Sequence, residues 1–328
     1  MKIISTKLIQ LITLLNDQAY HDGTTIGEKL NVTRSAVWKM IKKLHAYGVQ
    51  IESVKGKGYR LITPLKLLDR RSIRQQLTDK IVKIEVFESI GSTNEYLKSY
   101  YTDKATRICL AEQQEQGKAR LQRNWYSPFG LNVYFSCLYH FQQDMSELAG
   151  LSLVVSLAVV KTLHGYGLPA SLAVKWPNDV VYLGQKLAGI LIEVQAETHG
   201  VCHAIIGIGI NVNIHQDANR QIDQPWTSLM NILDEYIDRN QLCATLANYL
   251  LQDLKRFEKL GLAAFMAEWQ TVDLLTGQMV TLKCGEHLIT GMAMGINAHG
   301  HLLLRLKNGK MQAFSSGDAS VIKRRAKM

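Results

Sequence analysis

This 328-residue chain lacks several features that mark secreted, membrane or zinc-binding proteins. Its five cysteines are scattered and odd in number, and none forms a C-x-x-C pair, so neither a disulfide framework nor a zinc site is indicated. A reducing cytoplasm is therefore the expected compartment. The longest apolar run, residues 151–160, is too short to span a bilayer, and the N-terminus has no signal-peptide cleavage pattern. We expect no membrane partner.

The common nucleotide-binding and hydrolase signatures are missing as well. The chain contains no Walker A loop, no H-E-x-x-H motif and no G-x-S-x-G nucleophile elbow. The segment Gly207-Ile208-Gly209 begins like a dinucleotide fingerprint but lacks the third glycine and the following helix. We expect these glycines to let the backbone approach a flat ligand. ATP use stays open, because adenylating enzymes can hold nucleotide without a Walker A loop.

The chain is basic, and the pattern of its N-terminal module is typical of a DNA-binding domain. The formal net charge is +10 and the pI is near 9.3, which favours an acidic partner such as nucleic acid. Apolar residues at helical spacing predict helices over residues 4–15, 24–30 and 34–47. Residues 49–61 form two strand-like runs around a basic, glycine-containing turn. This order is that of a winged helix-turn-helix, whose last helix enters the major groove.

The predicted DNA contacts lie on the third helix and in the basic turn. The glycines and lysines of the turn suit close approach to phosphates. Trp38 is unusual on such a helix; it either reads a thymine methyl or packs on the wing. A small protein-interaction module with solvated charges is the alternative. The residues predicted to bind DNA are Arg34, Ser35, Trp38, Lys39, Lys42, Lys55 and Lys57.

The stretch from Val174 to Glu193 is the most informative part of the chain. K-W-P-N-D is followed by an apolar strand, a turn predicted at Gly184-Gln185, and a second apolar strand. Lys175, Asp179 and Lys186 thus lie within or beside buried strands, where charges cost several kcal/mol unless paired or bound to a ligand. Two lysines near one carboxylate suit a phosphate and its metal ion. A solvated hairpin with an internal ion pair is the alternative.

Two further polar segments are candidate binding elements. In the triplet Ser92-Thr93-Asn94, a hydroxyl can cap a helix and leave free N–H groups at its N-terminus. Lys118, Arg120 and Arg123 lie in a polar stretch and could neutralise phosphate or carboxylate groups. Simple helix capping and a solvated basic loop are the respective alternatives.

K-W-P-N-D followed by K-L-A-G-I-L-I-E at this spacing resembles the core signature of biotin–protein ligases. With the N-terminal module, the chain resembles the bifunctional form, biotin–protein ligase and biotin operon repressor, over nearly its whole length. The resemblance implies an α+β multidomain fold. Its expected parts are a winged helix-turn-helix over 1–64, a linker helix over 65–80, a central mixed-sheet catalytic domain over 81–270 and an SH3-like β-barrel over 271–328.

The resemblance also implies which residues hold biotin and its adenylate. In the family the S-T-N triplet lies at the biotin ureido ring, and the ligand loop typically reads Q-x-x-G-R-G-R-x-G-R-x-W. Here Lys118 replaces an arginine, and Ala119 and Gln122 replace glycines, which narrows the backbone options of the loop. The implied ligand-binding residues are Ser92, Thr93, Asn94, Gln114, Gly117, Lys118, Ala119, Arg120, Arg123, Trp125, Lys175, Asn178, Lys186, Gly189, Gly207 and Asn211.

The implied activity is two-step acyl transfer with ATP, Mg2+ and biotin. Biotin becomes biotinyl-5′-AMP, and a lysine of a biotin carboxyl carrier protein then takes the biotinyl group. Lys186, Arg120 and Asp179 are the expected catalytic residues, with Asp179 anchoring Mg2+ and Lys175 helping to position phosphate. The adenylate-bound homodimer would bind operator DNA and repress biotin genes.

Two alternatives to this function stay open. The altered ligand loop suggests a DNA-binding biotin sensor whose ligase activity is weak or lost. The chain could also be a lipoate or octanoate ligase of the same superfamily. At the C-terminus, Gly317 to Ser320 is one residue out of register with the family segment before the nucleotide-contacting arginine, so we assign it no role.

Overall fold

A computed structural model describes residues 2–168, 171–196, 202–215, 222 and 224–322. The helices are α1 (Thr6–Leu15), α2 (Gly23–Leu30), α3 (Arg34–Ala46), α4 (Arg70–Gln76), α5 (Thr93–Lys98), α6 (Leu151–His164), α7 (Leu229–Leu233), α8 (Arg239–Leu260) and α9 (Met266–Val272). The strands are β1 (Lys2–Ile3), β2 (Ile51–Val54), β3 (Gly58–Leu61), β4 (Lys83–Ser89), β5 (Arg107–Ala111), β6 (Val133–Phe141), β7 (Leu172–Lys175), β8 (Asp179–Tyr182), β9 (Gln185–Ala196), β10 (Cys202–Ile210), β11 (Met279–Cys284), β12 (His287–Ile296), β13 (Leu302–Leu306), β14 (Met311–Phe314) and β15 (Asp318–Val321).

The chain forms two compact units. The first contains residues 1–139, 205–223 and 228–245, and the second contains 140–204, 224–227 and 246–328. The predicted central domain is therefore divided between the units, and the domain bounds predicted from the sequence stay predictions. Within the described residues, no helix combines the length and the apolar character that a membrane crossing requires.

The winged module in the first unit forms as its sequence predicts. Side chains of Ser5, Asp22 and Thr33 accept hydrogen bonds from backbone N–H groups at the starts of α1, α2 and α3. Asn31 adopts a left-handed conformation, with φ of 50°, and turns the chain from α2 into α3. The apolar stripes of the helices pack together in one core. Strands β2 and β3 pair antiparallel as the wing.

The expected linker helix is wrong in its first half, because residues 65–69 are extended and α4 begins only at Arg70. Side chains elsewhere in the unit hydrogen-bond the backbone of this segment. Asn16 accepts from the N–H of Leu65, and Asn240 accepts from that of Asp69. In a helix the backbone N–H groups of this segment would bond within the helix instead, and the side chains of Asn16 and Asn240 would lose these hydrogen bonds.

The rest of the first unit carries a mixed sheet. Strand β4 runs parallel to β5, and β5 runs antiparallel to β6. The N-terminal strand β1, which the sequence did not reveal, pairs antiparallel with β4. The apolar side chains of β4, β5 and β6 are buried, as expected for strands covered on both faces, whereas Ile3 of β1 is exposed. Helix α5 follows closely after β4, so the predicted triplet Ser92-Thr93-Asn94 lies near the end of that strand.

In the second unit β7, β8 and β9 form an antiparallel meander, and α6 is buried almost throughout. The predicted turn at Gly184-Gln185 is wrong by one residue: Tyr182 pairs with Gln185, so Leu183 and Gly184 form the turn, both with positive φ. A short 3-10 helix over Met145–Leu148 precedes α6, and Gly150, with φ of 85°, separates the two.

The C-terminal region is a five-stranded antiparallel sheet in the order β14-β13-β12-β11-β15. It confirms the small C-terminal β-domain that the resemblance implies. The register of β12 against β13 shifts between Ala293 and Ile296, and Gly295 lies within this irregularity with φ of 88°.

Candidate functional site

The predicted biotin triplet forms a buried hydrogen-bonded network in the first unit. The N–H and the hydroxyl of Thr93 both donate to Gln114 Oε1, at 2.9 and 3.0 Å. The hydroxyl of Ser136 lies 2.7 Å from Thr93 Oγ1 and 2.6 Å from Asn94 Oδ1. Ser92 takes the N-cap position of α5 but makes no side-chain capping bond. The simple capping alternative is therefore not what these residues do.

Two glycines of β10 leave room for this network and for the loop tryptophan. A Cβ on Gly207 would lie 2.4 Å from Asn94 Oδ1, and one on Gly209 would lie 2.4 Å from Trp125 Cε2. Relieving the first clash would move the buried side chain of Asn94, and relieving the second would move the half-buried ring of Trp125. Asn211 follows the strand and is buried, and its carbonyl accepts the N–H of Leu229. Gly207 thus lies beside the predicted biotin triplet, and Gly209 lies beside the tryptophan of the predicted ligand loop.

The predicted ligand loop is closed by backbone hydrogen bonds at its base. The N–H of Gly130 donates to the carbonyl of Glu112 at 3.0 Å, and the N–H of Trp125 donates to that of Gly117 at 2.9 Å. Position 117 admits only glycine, because a Cβ there would lie 2.4 Å from the carbonyl oxygen of Trp125. Arg120 is half-buried and Arg123 is exposed. Two backbone hydrogen bonds and one required glycine therefore shape the base of the loop.

The three loop positions that depart from the family pattern behave differently. Ala119 has an extended backbone, with φ of −129°, which any residue adopts. Gln122 has φ of 57°, a left-handed conformation that favours glycine. Lys118 forms an ion pair with Glu95 in α5, and this hydrogen bond is the main cause that lowers the pKa of Glu95 below its ordinary value. Of the three departures from the family pattern, only the replacement of glycine by Gln122 places a non-glycine residue in a backbone conformation that favours glycine.

The charged residues of the K-W-P-N-D hairpin lie together in the second unit. Lys186 Nζ is 2.7 Å from Asp179 Oδ1, and their side chains are only 15% and 19% exposed. The backbone of Lys186 is fixed on both sides, since its N–H donates to Pro225 and its carbonyl accepts from Thr227. The register of β8 against β9 shifts between Val180 and Val181, and Val181 pairs with Lys186. Such a β-bulge commonly changes the direction of a nearby side chain.

Lys175 has a partner that sequence reasoning missed. Its Nζ lies 3.5 Å from Asp318 Oδ1, at the first residue of β15. The C-terminal sheet thus brings a second carboxylate to the K-W-P-N-D motif. Gly317-Asp318 fits the start of the family segment, but the following residues are one position out of register, so the sequence assigned Asp318 no role. Two other motif residues are structural as well: Trp176 Nε1 donates to Gly300, and Asn178 Nδ2 donates to Ile190.

Gly189, the last of the predicted ligand residues, lies in β9 directly opposite Asp179. A glycine at this register presents no side chain opposite Asp179. Among the described residues, no group of three or more histidine, cysteine or acidic side chains is placed to hold a metal ion.

The predicted DNA face of the winged module is exposed and basic. On α3, Arg34, Ser35, Lys39 and Lys42 are exposed, while Val37, Ile41 and Leu44 are buried. The sequence of α3 contains no acidic residue. In the wing Lys55 and Lys57 are exposed. All seven residues predicted to bind DNA therefore lie at the surface of the module, with Trp38 among them.

The end of α3 is anchored next to the predicted ligand residues of the first unit. Tyr47 donates to Glu88 Oε1 at 2.7 Å, and Lys43 forms an ion pair with the same carboxylate, which is fully buried. The ring of Tyr47 also stacks on Phe129, with centroids 4.5 Å apart. Burial is the main cause that raises the pKa of Tyr47, followed by its bond to Glu88. Glu88 lies just before the predicted biotin triplet, and Phe129 lies at the end of the predicted ligand loop. The end of α3 thus contacts the chain next to both predicted elements.

The extended linker is bound to the same region. The N–H of Leu68 donates to Glu112, and Glu112 forms an ion pair of 2.7 Å with Arg239, both residues being fully buried. Arg239 also donates to the carbonyl of Lys66, and Asn240 donates to that of Leu67. Residues 65–69 therefore run as a strap, hydrogen-bonded at every residue, across the base of the ligand loop.

Comparisons with known proteins agree with this architecture. Residues 86–211 match the biotin/lipoate A/B protein ligase family, residues 7–60 match an HTH domain, and residues 275–321 match the biotin protein ligase C terminal domain. In structure, the chain is similar to biotin protein ligase from Aquifex aeolicus in complex with biotin and ATP. That likeness has a TM-score of 0.63 and 29% identity, and it covers 74% of this chain and 99% of that one.

Two relatives match almost from end to end. The bifunctional ligase/repressor BirA of Salmonella typhimurium is 36% identical over 97% of this chain and 98% of its own length. The bifunctional ligase/repressor BirA of Bacillus subtilis is 30% identical over 94% of this chain and 96% of its own length. The predicted order of winged helix, mixed sheet and C-terminal β-domain is thereby confirmed, and the chain belongs to the family of bifunctional ligase/repressors.

Proposed function

We propose that this protein activates biotin with ATP, transfers it to a lysine of a biotin carboxyl carrier protein, and represses biotin genes when the adenylate is bound. The observation that carries the ligase half is the pair of Lys186 and Asp179, held at 2.7 Å on a hairpin with little exposure. A charged pair of low exposure is a candidate functional site, and this one lies within the motif that resembles the family signature. The cytoplasm is the proposed compartment.

In the first step an oxygen of the biotin carboxylate attacks the α-phosphorus of ATP. The new phosphorus–oxygen bond forms as the bond to the leaving pyrophosphate breaks. Negative charge shifts onto the phosphate oxygens, and the ammonium of Lys186 would stabilise it. Arg120 and Lys175 would add positive charge, and Asp179, 2.7 Å from Lys186, would hold that side chain in position. Alignment and charge do this work, because no side-chain nucleophile is required.

In the second step the neutral ε-amine of the carrier lysine attacks the carbonyl carbon of biotinyl-5′-AMP. A carbon–nitrogen bond forms, the carbon–oxygen bond to AMP breaks, and the proton released by the amine passes to solvent. The network around Thr93, Asn94 and Gln114 would hold the ureido ring, because it offers both donors and acceptors in a buried setting. Gly117, Lys118, Ala119, Arg123 and Trp125 form the loop that would retain the adenylate.

The described residues are compatible with Mg2+ arriving together with ATP. Mg2+ is commonly held by one or two carboxylates plus phosphates and water rather than by a protein cage. Asp179 and Asp318 are two carboxylates of this kind, each already beside a lysine. When bound, the ion would screen phosphate charge. Asp179 is the proposed anchor, since it is the less exposed of the two.

The repressor half rests on the anchoring of α3 and of the linker strap to the ligand-binding region. A change in the ligand loop would act on Phe129 at its end and on Glu112 at its base. Both residues touch parts of the chain that position the recognition helix. We therefore propose that the adenylate favours the DNA-binding arrangement and a homodimer on a two-fold operator. Sedimentation showing no adenylate-dependent dimer would contradict this part.

The ligase is tested by incubating the full-length protein with ATP, Mg2+, biotin and an acceptor domain and weighing the acceptor intact. The expected result is a mass gain of one biotin. Lys186→Gln should slow adenylate formation by about 10²–10³-fold, the usual effect of losing one charge-stabilising group. Lys259→Gln, an exposed lysine at the end of α8 in the same unit, is the matched control and should leave the rate unchanged.

One observation favours a second candidate, a biotin sensor with weak ligase activity. Gln122 occupies a left-handed position of the ligand loop where the family has glycine. Strain there could weaken loop closure over the adenylate. Biotinyl-adenylate without labelled acceptor would select this candidate. Labelling with lipoate in place of biotin would select the lipoate ligase instead.

A further inference from the structure

Trp38 is an exposed apolar side chain in the middle of a basic surface. Its side chain is 52% exposed, although α3 has a well-formed buried face. It belongs neither to the buried core of the winged module nor to the partly buried residues packed against that core. Among the described residues from Ser5 to Leu61, no other large hydrophobic side chain is exposed to this degree. Trp38 therefore contributes little to the packing of its own module.

The orientation of Trp38 is nevertheless restrained. The Nζ of Lys42, one turn further along α3, lies 5.1 Å from the centroid of its ring, a cation–π contact. Such a contact keeps the indole on the outer face of the helix and reduces its rotational freedom. The sequence left two roles open, reading a thymine methyl or packing on the wing. A side chain that is half exposed and lies under Lys42 fits the first role.

The surface around Trp38 identifies its partner as double-stranded DNA. Arg34, Lys39 and Lys42 surround it on the same exposed face, and α3 has no acidic residue. The wing adds Lys55 and Lys57. Basic side chains in this number neutralise backbone phosphates and fix the position of the helix. Sequence is read by side chains that reach the base edges, and Trp38 is the large apolar side chain exposed on this face.

We propose that Trp38 reads a thymine in the major groove of each operator half-site, with its ring against the C5 methyl group. This inference rests on the proposed operator binding and deepens it. Thymine is the one unmodified base whose major-groove edge presents a methyl group, and it also carries the O4 acceptor. The indole offers a matching apolar surface, and its one N–H can donate to O4. A guanine or adenine edge offers acceptors without the methyl group.

The test uses full-length protein with biotin, ATP and Mg2+ and a duplex selected from a random pool. Each thymine of that duplex is replaced in turn by deoxyuridine, which lacks only the methyl group, or by 5-methylcytosine, which keeps the methyl group and loses O4. Dissociation constants are measured by fluorescence anisotropy at one fixed salt concentration. Wild-type protein should bind the deoxyuridine duplex about fourfold more weakly per half-site, because burying one methyl group contributes about 0.8 kcal/mol.

Trp38→Ala should bind the parent duplex more weakly and should lose the distinction between thymine and deoxyuridine. Circular dichroism of this variant checks that the exposed substitution leaves the fold intact. Lys55→Ala, a phosphate contact in the wing, is the matched control; it should weaken binding and flatten the salt dependence but keep the deoxyuridine effect. Equal binding of thymine and deoxyuridine duplexes by the wild type would overturn the inference, as would discrimination that survives in Trp38→Ala. Failure to select any duplex would overturn operator binding itself, and this inference with it.

Discussion

Replacing Arg239 by methionine should destabilise the first unit more than any surface substitution. Arg239 and Glu112 are both fully buried and 2.7 Å apart. Arg239→Met removes the positive charge but keeps much of the side-chain volume, so Glu112 is left as an unpaired charge in the interior. Breaking one partner of a buried ion pair costs about 3–5 kcal/mol of unfolding free energy. The carbonyl groups of Asn132 and Lys66 lose their guanidinium donors in addition.

The measurement is urea unfolding, followed by far-UV circular dichroism, of the wild type and three variants. Lys66→Met is the matched control, because its ion pair with Asp238 lies on the same strap but half exposed, and its loss should cost no more than about 1 kcal/mol. Adding Glu112→Gln to Arg239→Met removes the unpaired charge and keeps the acceptor for Leu68. This double variant should recover about 1–3 kcal/mol. The reasoning is refuted if Arg239→Met costs no more than Lys66→Met, or if the double variant is less stable than the single one.

Three further results are expected. Gly207→Ala should raise the KM for biotin at least tenfold in a labelling assay, because its Cβ would lie 2.4 Å from the amide oxygen of the biotin triplet; an unchanged KM would remove this glycine from the site. Tyr47→Phe, which removes only the hydroxyl bonded to Glu88, should reduce the factor by which adenylate tightens DNA binding, while adenylate affinity without DNA stays the same. The lowered pKa of Glu95 means that its tie to Lys118 is complete above the ordinary value of 4.5 and is lost as the pH falls through the folded-state pKa, so protease cleavage in the ligand loop should rise only in strong acid.

The winged module was largely predictable because its signals are local. Thr33 caps α3, Asn31 makes the turn before it, and the apolar spacing gives the buried face. The K-W-P-N-D hairpin was predicted for the same reason. Its turn was placed one residue late, since Gly184 suggested the first turn position although Leu183 takes it with positive φ. Composition alone does not reveal a left-handed leucine.

What the sequence could not show were contacts between distant segments. Asp318 lies beside Lys175 only because β15 pairs with β11, a pairing with no local signature. The strap over residues 65–69 appeared helical, because its apolar spacing fits a helix equally well. Hydrogen bonds from residues far along the chain decide its extended form. The buried pair of Glu112 and Arg239 was missed for the same reason.

The buried carboxylate of Glu88 affects how this protein can change over time. Without the winged module, Glu88 would lose Tyr47 and Lys43, and the ring of Phe129 would lose its stacking partner. A shorter ligase would therefore need new side chains at both positions before it could be stable. Substitutions on the outer face of α3 carry no such cost. A lineage that stops using the repressor should lose its DNA-reading residues long before it loses the domain that carries them.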